Sequence, residues 1–110
     1  MPIPASTQTS LAQRLQQRRR ERWPTLTCVS VRVRGNFAYI SGTVDDDELS
    51  LCRLRYGGSA TRWRFAIYLA SRDGYQDSML PNGYPVGTAE EALDCACGLY
   101  LNDPTAWQPK

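Results

Sequence analysis

The sequence contains no histidine, a single lysine and no long apolar run. Without histidine, the chain has no imidazole that can act as a general base near neutral pH or complete a zinc site with cysteine. Its longest apolar run falls far short of a membrane-spanning helix, and its first residues lack the basic and apolar regions of a signal peptide. We therefore expect a cytoplasmic protein that does not associate with membranes and needs no metal or cofactor.

The four cysteines are Cys28, Cys52, Cys95 and Cys97, and no two of them form a Cys-x-x-Cys pair. Cys95 and Cys97 fall in a predicted helix, where residues two apart point about 200° away from each other and are poorly placed to share one metal ion. We therefore expect reduced thiols, with Cys52 and Cys97 acting as small core residues.

The composition is that of one small globular domain. A chain of 110 residues has room for a single core, and 42% hydrophobic residues are too many for a disordered protein. The net charge is only +2, but 12 of the 13 basic residues are arginine. A GC-rich genome explains this bias, although the planar guanidinium also suits the recognition of phosphate and carboxylate groups. The two explanations remain open.

Three segments follow from the sequence: a tail and basic helical arm over residues 1–24, one α+β domain over 25–104, and a tail over 105–110. Residues 1–10 are rich in Pro, Ser and Thr and predict a frayed tail, whereas 11–22 favour helix by propensity. The helix carries three consecutive basic residues that we expect to add phosphate contacts: Arg18, Arg19 and Arg20.

Alternating apolar residues predict an antiparallel meander of four to five strands over most of the domain. Gly35 and Asn36 favour a two-residue hairpin turn, which pairs Arg34 with Phe37. A four-residue turn then joins strands 50–56 and 61–70. This turn pairs Tyr56 with Thr61 and sets two pairs of like charges opposite each other on the outer face: Arg55 with Arg62, and Arg53 with Arg64.

A fifth short strand is expected over 75–80, followed by a loop over 81–87. Thr88 and Glu91 have the spacing of a capping box at the start of a C-terminal helix, which should cover the apolar face of the sheet. The residues expected to be almost inaccessible in the core are Val31, Trp63, Phe65, Ile67 and Leu93.

Arginine and aromatic residues dominate the predicted outer face. Like charges directly opposite each other destabilise a sheet by about 0.2–1 kcal/mol a pair, so a face that keeps them predicts an anionic partner. Arginines can contact phosphates while the rings stack on bases or sugars. The residues of this predicted nucleic-acid-binding face are Arg32, Arg34, Phe37, Tyr39, Arg53, Arg55, Arg62, Arg64 and Tyr68. Alternatively, it is a solvated face whose arginines lie over aromatic rings and pair with nearby carboxylates.

The segments 62–68 (RWRFAIY) and 87–92 (GTAEEA), with a short strand between them, resemble the AP2-like and integrase N-terminal DNA-binding domains. Those families place a three-stranded sheet in the major groove and back it with a helix. The resemblance covers the C-terminal half of the chain and implies DNA binding, with Arg62 and Arg64 as contacts. The whole chain is also similar to small proteins of GC-rich bacterial genomes and their mobile elements, which implies no activity.

No catalytic constellation is found, so we expect a binding protein rather than an enzyme. The leading hypothesis is a nucleic-acid-binding or regulatory module that uses the arginine-rich face, with DNA preferred over RNA. The alternative is a protein–protein interaction module, such as an inhibitor or accessory subunit, that binds an acidic partner surface, since arginine and tyrosine are common at binding hot spots.

Overall fold

The computed structural model describes residues 2–59, 61–69, 71, 73–80 and 83–100, without the side chains of residues 99 and 100. The predicted tail over 105–110 and the predicted domain end at residue 104 lie outside this range. The elements are α1 (Ala5–Arg22), β1 (Cys28–Arg34), β2 (Phe37–Val44), β3 (Asp47–Tyr56), β4 (Trp63–Leu69), β5 (Gly74–Asp77), β6 (Val86–Gly87) and α2 (Ala89–Tyr100).

The sheet is an antiparallel meander in the order β1-β2-β3-β4-β5, which confirms the predicted α+β fold. The short strand β6, which falls in the predicted loop over 81–87, pairs with the beginning of β4, whereas β5 pairs with its end. Helix α2 packs against β3 and β4, and α1 packs against β1 and α2. The two helices thus lie together over the apolar side of the sheet and leave its other side as a polar face.

The β1–β2 hairpin has the predicted register, with Arg34 paired with Phe37 and Val33 with Ala38. Gly35 adopts a φ of +64°, the left-handed conformation required in a primed two-residue turn. The next turn is equally short, because Asp45 and Asp46 both have positive φ values. Strand β3 therefore begins at Asp47, earlier than predicted.

The predicted register between β3 and β4 is wrong by two residues. Tyr56 pairs with Trp63 instead of Thr61, so the turn spans residues 57–62. This register places Tyr56 beside the buried ring of Trp63, with the ring centroids 5.5 Å apart. Because side chains alternate along a strand, a shift of two residues leaves every side chain on its predicted face.

A β-bulge lies opposite Ile40 and Ser41, which pair with Cys52 and Ser50 respectively. Leu51 is left over between these partners, and both Leu51 and Cys52 are buried. The bulge therefore turns two consecutive side chains of β3 into the core and interrupts the polar face at Leu51.

The N-terminal helix is longer and better anchored than the sequence predicts. It begins at Ala5, so residues 5–10, which the sequence predicts as tail, are helical. Thr7, Leu11 and Leu15 recur every four residues on one helix face, and all three are buried, as is Ile3 just before the helix. Burial of this stripe outweighs the weak helix propensity of Ser and Thr in the first turns.

Asp94 of α2 joins the two helices. Arg18 of α1 donates from its Nε and Nη2 atoms to the Asp94 carboxylate, and this hydrogen bond raises the pKa of Arg18. Trp23 also donates from Nε1 to Asp94 Oδ1 at 2.9 Å. Asp94 is only 7% exposed. We call Arg18, Trp23 and Asp94 the Asp94 clamp.

The core contains four of the five residues predicted for it: Trp63, Phe65, Ile67 and Leu93 are buried. Val31 is the exception, because it lies on the outermost strand and is only half-buried. The capping box of α2 is confirmed. The Glu91 N–H donates to Thr88 Oγ1 at 3.1 Å, and the Thr88 N–H donates to Glu91 Oε1 at 2.9 Å.

All four cysteines are free thiols, as predicted. Cys52 and Cys97 are buried in the core, where Cys95 joins them, whereas Cys28 is half-buried. Burial raises the pKa of Cys97 to about 12 and that of Cys52 well above its ordinary value. These thiols are therefore neutral packing groups rather than nucleophiles.

Candidate nucleic-acid interface

Side chains on the polar face form three rows that run across the strands, because directly paired residues of an antiparallel sheet share a face. The first row, which we call the arginine row, is Arg34, Phe37, Arg55 and Arg64. The second, the middle row, is Arg32, Tyr39, Arg53, Ala66 and Asp77. The third, the hydroxyl row, contains Ser30, Ser41 and Ser50 and, beyond the bulge, Tyr68 and Tyr75.

The arginine row contains one pair of like charges directly opposite each other, Arg55 and Arg64. Both residues are exposed, and neither forms an ion pair within the part of the chain that the structure describes. Arg55 does approach a ring of its own row, with Cζ 5.9 Å from the centroid of Phe37. A small pocket of about 80 Å³ that both arginines line is also lined by Asp77, whose ion pair is with Arg53. Arg55 and Arg64 thus concentrate positive charge without an ion pair of their own in the described part of the protein.

The predicted pairs Arg55 with Arg62 and Arg53 with Arg64 do not form, because the register is shifted. Arg62 instead lies in the β3–β4 turn, where it is exposed. Together with Arg55 and Arg64 it lines a groove of about 540 Å³, whose other lining residues include Asn36 and the turn over 57–59 but no carboxylate. The shift therefore moves Arg62 from the sheet to the turn beside Arg55 and Arg64.

Arg53 is engaged within the protein. Its guanidinium lies between two rings, with Cζ 4.8 Å from the centroid of Phe37 and 5.7 Å from that of Tyr75. Its Nη2 atom is also 3.8 Å from Asp77 Oδ1. These contacts match the alternative in which an arginine lies over aromatic rings and pairs with a carboxylate, so Arg53 stabilises the face rather than offering a free charge.

Four rings form a continuous aromatic strip: Phe37, Tyr39, Tyr75 and Tyr68. Successive ring centroids are 6.4, 5.4 and 5.3 Å apart. Tyr39 belongs to β2 and Tyr75 to β5, and their backbones are separated by about 14 Å across three strand spacings. The two rings therefore lean over β3 and β4 and meet above the middle of the sheet.

Tyr75 is the one member of this strip that the sequence analysis missed. Its pairing with Tyr68 depends on the register between β4 and β5. Strand β5 begins at Gly74, one residue earlier than the predicted fifth strand. Burial raises the pKa of Tyr75, while a hydrogen bond to Ser50 acts in the opposite direction. The Tyr68 hydroxyl donates to Asp73 Oδ1 at 2.7 Å, which fixes the other end of the strip.

A second groove, of about 500 Å³, lies on the side of the face away from Arg55 and Arg64. Its lining combines hydroxyl groups with two arginines and one carboxylate: Ser30, Arg32, Arg34, Tyr39, Ser41, Glu48, Ser50 and Tyr75. Val31 also lines this groove. Glu48 makes this groove less positive than the one at the β3–β4 turn. Its hydroxyl groups suit hydrogen bonding to neutral polar groups.

The three arginines predicted as a basic arm have different surroundings. Arg18 belongs to the Asp94 clamp. Arg19 donates from Nη1 to the Leu26 carbonyl at 2.7 Å and from Nε to Gln16 Oε1 at 3.0 Å. Arg20 is exposed. Arg18 and Arg19 thus hold α1 against the domain, and Arg20 alone of the three is left on the surface for an external phosphate.

No helix among the described residues is long and apolar enough to cross a membrane. The same residues include no cluster of cysteines and carboxylates able to hold a metal ion. Arg62 and Arg64, the contacts implied by the resemblance to AP2-like domains, are exposed, and Trp63 between them is buried. Comparison with known proteins gives no significant match to a family model, a curated protein or a solved structure.

Proposed function

We propose that the protein binds nucleic acid through the polar face of its sheet. The observation that carries this proposal is the opposed pair of Arg55 and Arg64 in a row without a carboxylate. Such a pair repels, at about 0.2–1 kcal/mol, until an anion lies between or above the two guanidinium groups. Nucleic acid is the cellular polyanion whose regularly spaced phosphates can neutralise several arginines at once.

The composition of the whole face favours nucleic acid over an acidic protein surface. A carboxylate-rich partner needs only cations opposite it, whereas this face sets an aromatic strip beside the arginine row. Aromatic rings are suited to bases and sugars, so the two kinds of group together match the two parts of a nucleotide. The alternative of a protein-interaction module also uses these arginines and tyrosines, which are common at binding hot spots, but it does not require the rings to lie beside a row of cations.

The proposal is tested by the salt dependence of binding to labelled DNA and RNA, measured by fluorescence anisotropy. The variant Arg55→Gln/Arg64→Gln removes two positive charges from the arginine row. It should bind more weakly, and its slope of log affinity against log salt should be smaller by about 1.4–1.8, since each phosphate contact contributes about 0.7–0.9. The matched control is Arg14→Gln, which removes one positive charge from α1 and should leave the slope nearly unchanged, whereas Arg64→Gln alone should lower it by about 0.7–0.9.

Two results would contradict the proposal. One is a wild-type protein without salt-sensitive affinity for either DNA or RNA, whether single-stranded or duplex. The other is an equal loss of affinity in Arg64→Gln and Arg14→Gln, which would mean that only net charge matters. Salt-sensitive binding to polyglutamate without binding to nucleic acid would favour the protein-interaction alternative.

A further inference from the structure

Unneutralised positive charge is concentrated along one side of the polar face. Arg55 and Arg64 belong to the arginine row, and Arg62 lies in the adjoining turn. Beyond this row, the arginines have carboxylates near them. Arg53 is next to Asp77, and Arg32 lines the same groove as Glu48, as does Arg34 at the β1 end of the arginine row. Asp73 also lies beyond it, at the far end of the aromatic strip. The face therefore changes from positive to mixed charge across its rows.

This asymmetry does not match a nucleic-acid duplex. Both grooves of a duplex are bordered by a phosphate backbone on each side, so a face that sits over a groove needs cations along two opposite borders. Here the side of the face beyond the middle row carries Glu48 and Asp73 instead, and Asp77 lies at the β5 end of the middle row. These carboxylates repel phosphates. A single strand has its phosphates along one side and its bases along the other, which is the arrangement of the arginine row and the aromatic strip.

The width of the face disfavours entry into the groove of an undeformed duplex. The arginine row extends over β1 to β4, so its outer strands are about 14 Å apart between backbones, before side chains are added. The major groove of B-DNA is about 12 Å wide and the minor groove about 6 Å wide. The middle of the face thus stays away from the bases of an undeformed B-form duplex, whereas unpaired bases can turn out of the strand and lie on the face.

We infer that the ligand is single-stranded nucleic acid that crosses the β-strands along the arginine row, an inference that rests on the proposed function. Its phosphates contact Arg34, Arg55 and Arg64, and its bases turn toward Tyr39 and the half-buried rings beyond it. The Phe37 ring is covered by Arg53 and Arg55, so at that position a base meets the guanidinium groups, which also offer a planar stacking surface.

The test compares a labelled 12-nucleotide strand of mixed sequence, as DNA and as RNA, with duplex DNA that contains the same strand. Simple attraction to charge favours the duplex, because its phosphates are denser, so a preference for the single strand must come from the bases. We expect at least one of the two single strands to bind at least tenfold more tightly than the duplex at equal salt.

The variants Tyr39→Leu and Tyr39→Phe separate stacking from other effects. Tyr39→Leu should weaken single-strand binding about tenfold, within the range for loss of one base–aromatic contact, whereas Tyr39→Phe should bind like the wild type. Affinity for the duplex should change little in either variant. Thermal melting of both variants shows whether the fold is intact, and the wild-type comparison stands without them.

The outcomes distinguish the inference from the proposed function. Tighter binding of the duplex, or equal binding of duplex and single strand, would overturn the inference while the face remained a nucleic-acid interface. Unchanged single-strand affinity in Tyr39→Leu would also overturn it, because the bases would then lie elsewhere. No binding of any nucleic acid would refute both proposals together.

Discussion

Replacing Asp94 with Asn tests how strongly the fold depends on the Asp94 clamp. The substitution keeps the shape of the side chain but exchanges one carboxylate oxygen for an amino group, which cannot accept from Arg18 or Trp23. The side chains of Arg18 and Asp94 are only 19% and 11% exposed, so little water is present to replace the lost contacts. The guanidinium of Arg18 would be left without its counter-ion.

Loss of one partner from a fully buried ion pair destabilises a protein by about 3–5 kcal/mol. Because Arg18 keeps some contact with solvent, we expect a smaller decrease in the free energy of unfolding, about 2–4 kcal/mol. Urea unfolding followed by tryptophan fluorescence measures it directly, since the Trp23 side chain is itself part of the clamp. For a slope of about 2 kcal/mol per molar urea, the midpoint should fall by about 1–2 M.

Two further variants make this prediction specific to the clamp. Asp46→Asn removes the same charge from an exposed turn position with a φ of +69°, a conformation that Asn tolerates, and it should leave stability nearly unchanged. Arg18→Gln/Asp94→Asn should lose less stability than the sum of the two single variants, because the second change removes the unpaired charge. A loss below about 0.5 kcal/mol in Asp94→Asn would refute this account of the clamp.

The two outward arginines of β3 and β4 should respond oppositely to substitution. Arg64→Thr relieves the repulsion with Arg55 and should leave the melting temperature unchanged or raised, whereas Arg53→Thr removes an ion pair and two ring contacts and should lower it; the reverse order would contradict these roles. The buried thiols make stability fall as pH rises from about 9 towards 12, since ionisation above pH 9 is open only to the unfolded chain. Cys97→Ala should reduce that slope by about 1.4 kcal/mol per pH unit in urea titrations with reductant, and identical slopes would argue against a neutral buried Cys97.

The sequence predicts the faces of this sheet better than its registers. The β1–β2 register follows directly because Gly35 and Asn36 allow only a two-residue turn. The β3–β4 turn contains two consecutive glycines, which are compatible with turns of several lengths. The packing of Trp63 on Tyr56 therefore determines the register, and the local sequence pattern does not reveal this contact. The predicted faces are nevertheless correct, because side chains alternate along a strand and a shift of two residues returns each side chain to the same side.

The same limits apply to the candidate site. The sequence predicts which arginines and rings are on the polar face, but the like-charge pair is Arg55 with Arg64 and not the pairs expected. The role of Arg53 depends on Asp77 and on Tyr75 of β5, whose position follows from a strand of only four residues. The clamp was also missed, although an acid beside the apolar stripe of α2 is a visible hint, because its partner is 76 residues away.

The contact between α1 and the first strand has a consequence for how the protein behaves among copies of itself. Strand β1 pairs with β2 alone, and α1 packs against it, with Gln16 Nε2 donating to the Val29 carbonyl at 2.7 Å. An uncovered edge of this kind, rich in β-branched residues, is a template for pairing with another chain. Helix α1 therefore limits self-association through β1. Removal of residues 1–22 would end this contact and also uncover part of the apolar side of the sheet, so the shortened protein should self-associate.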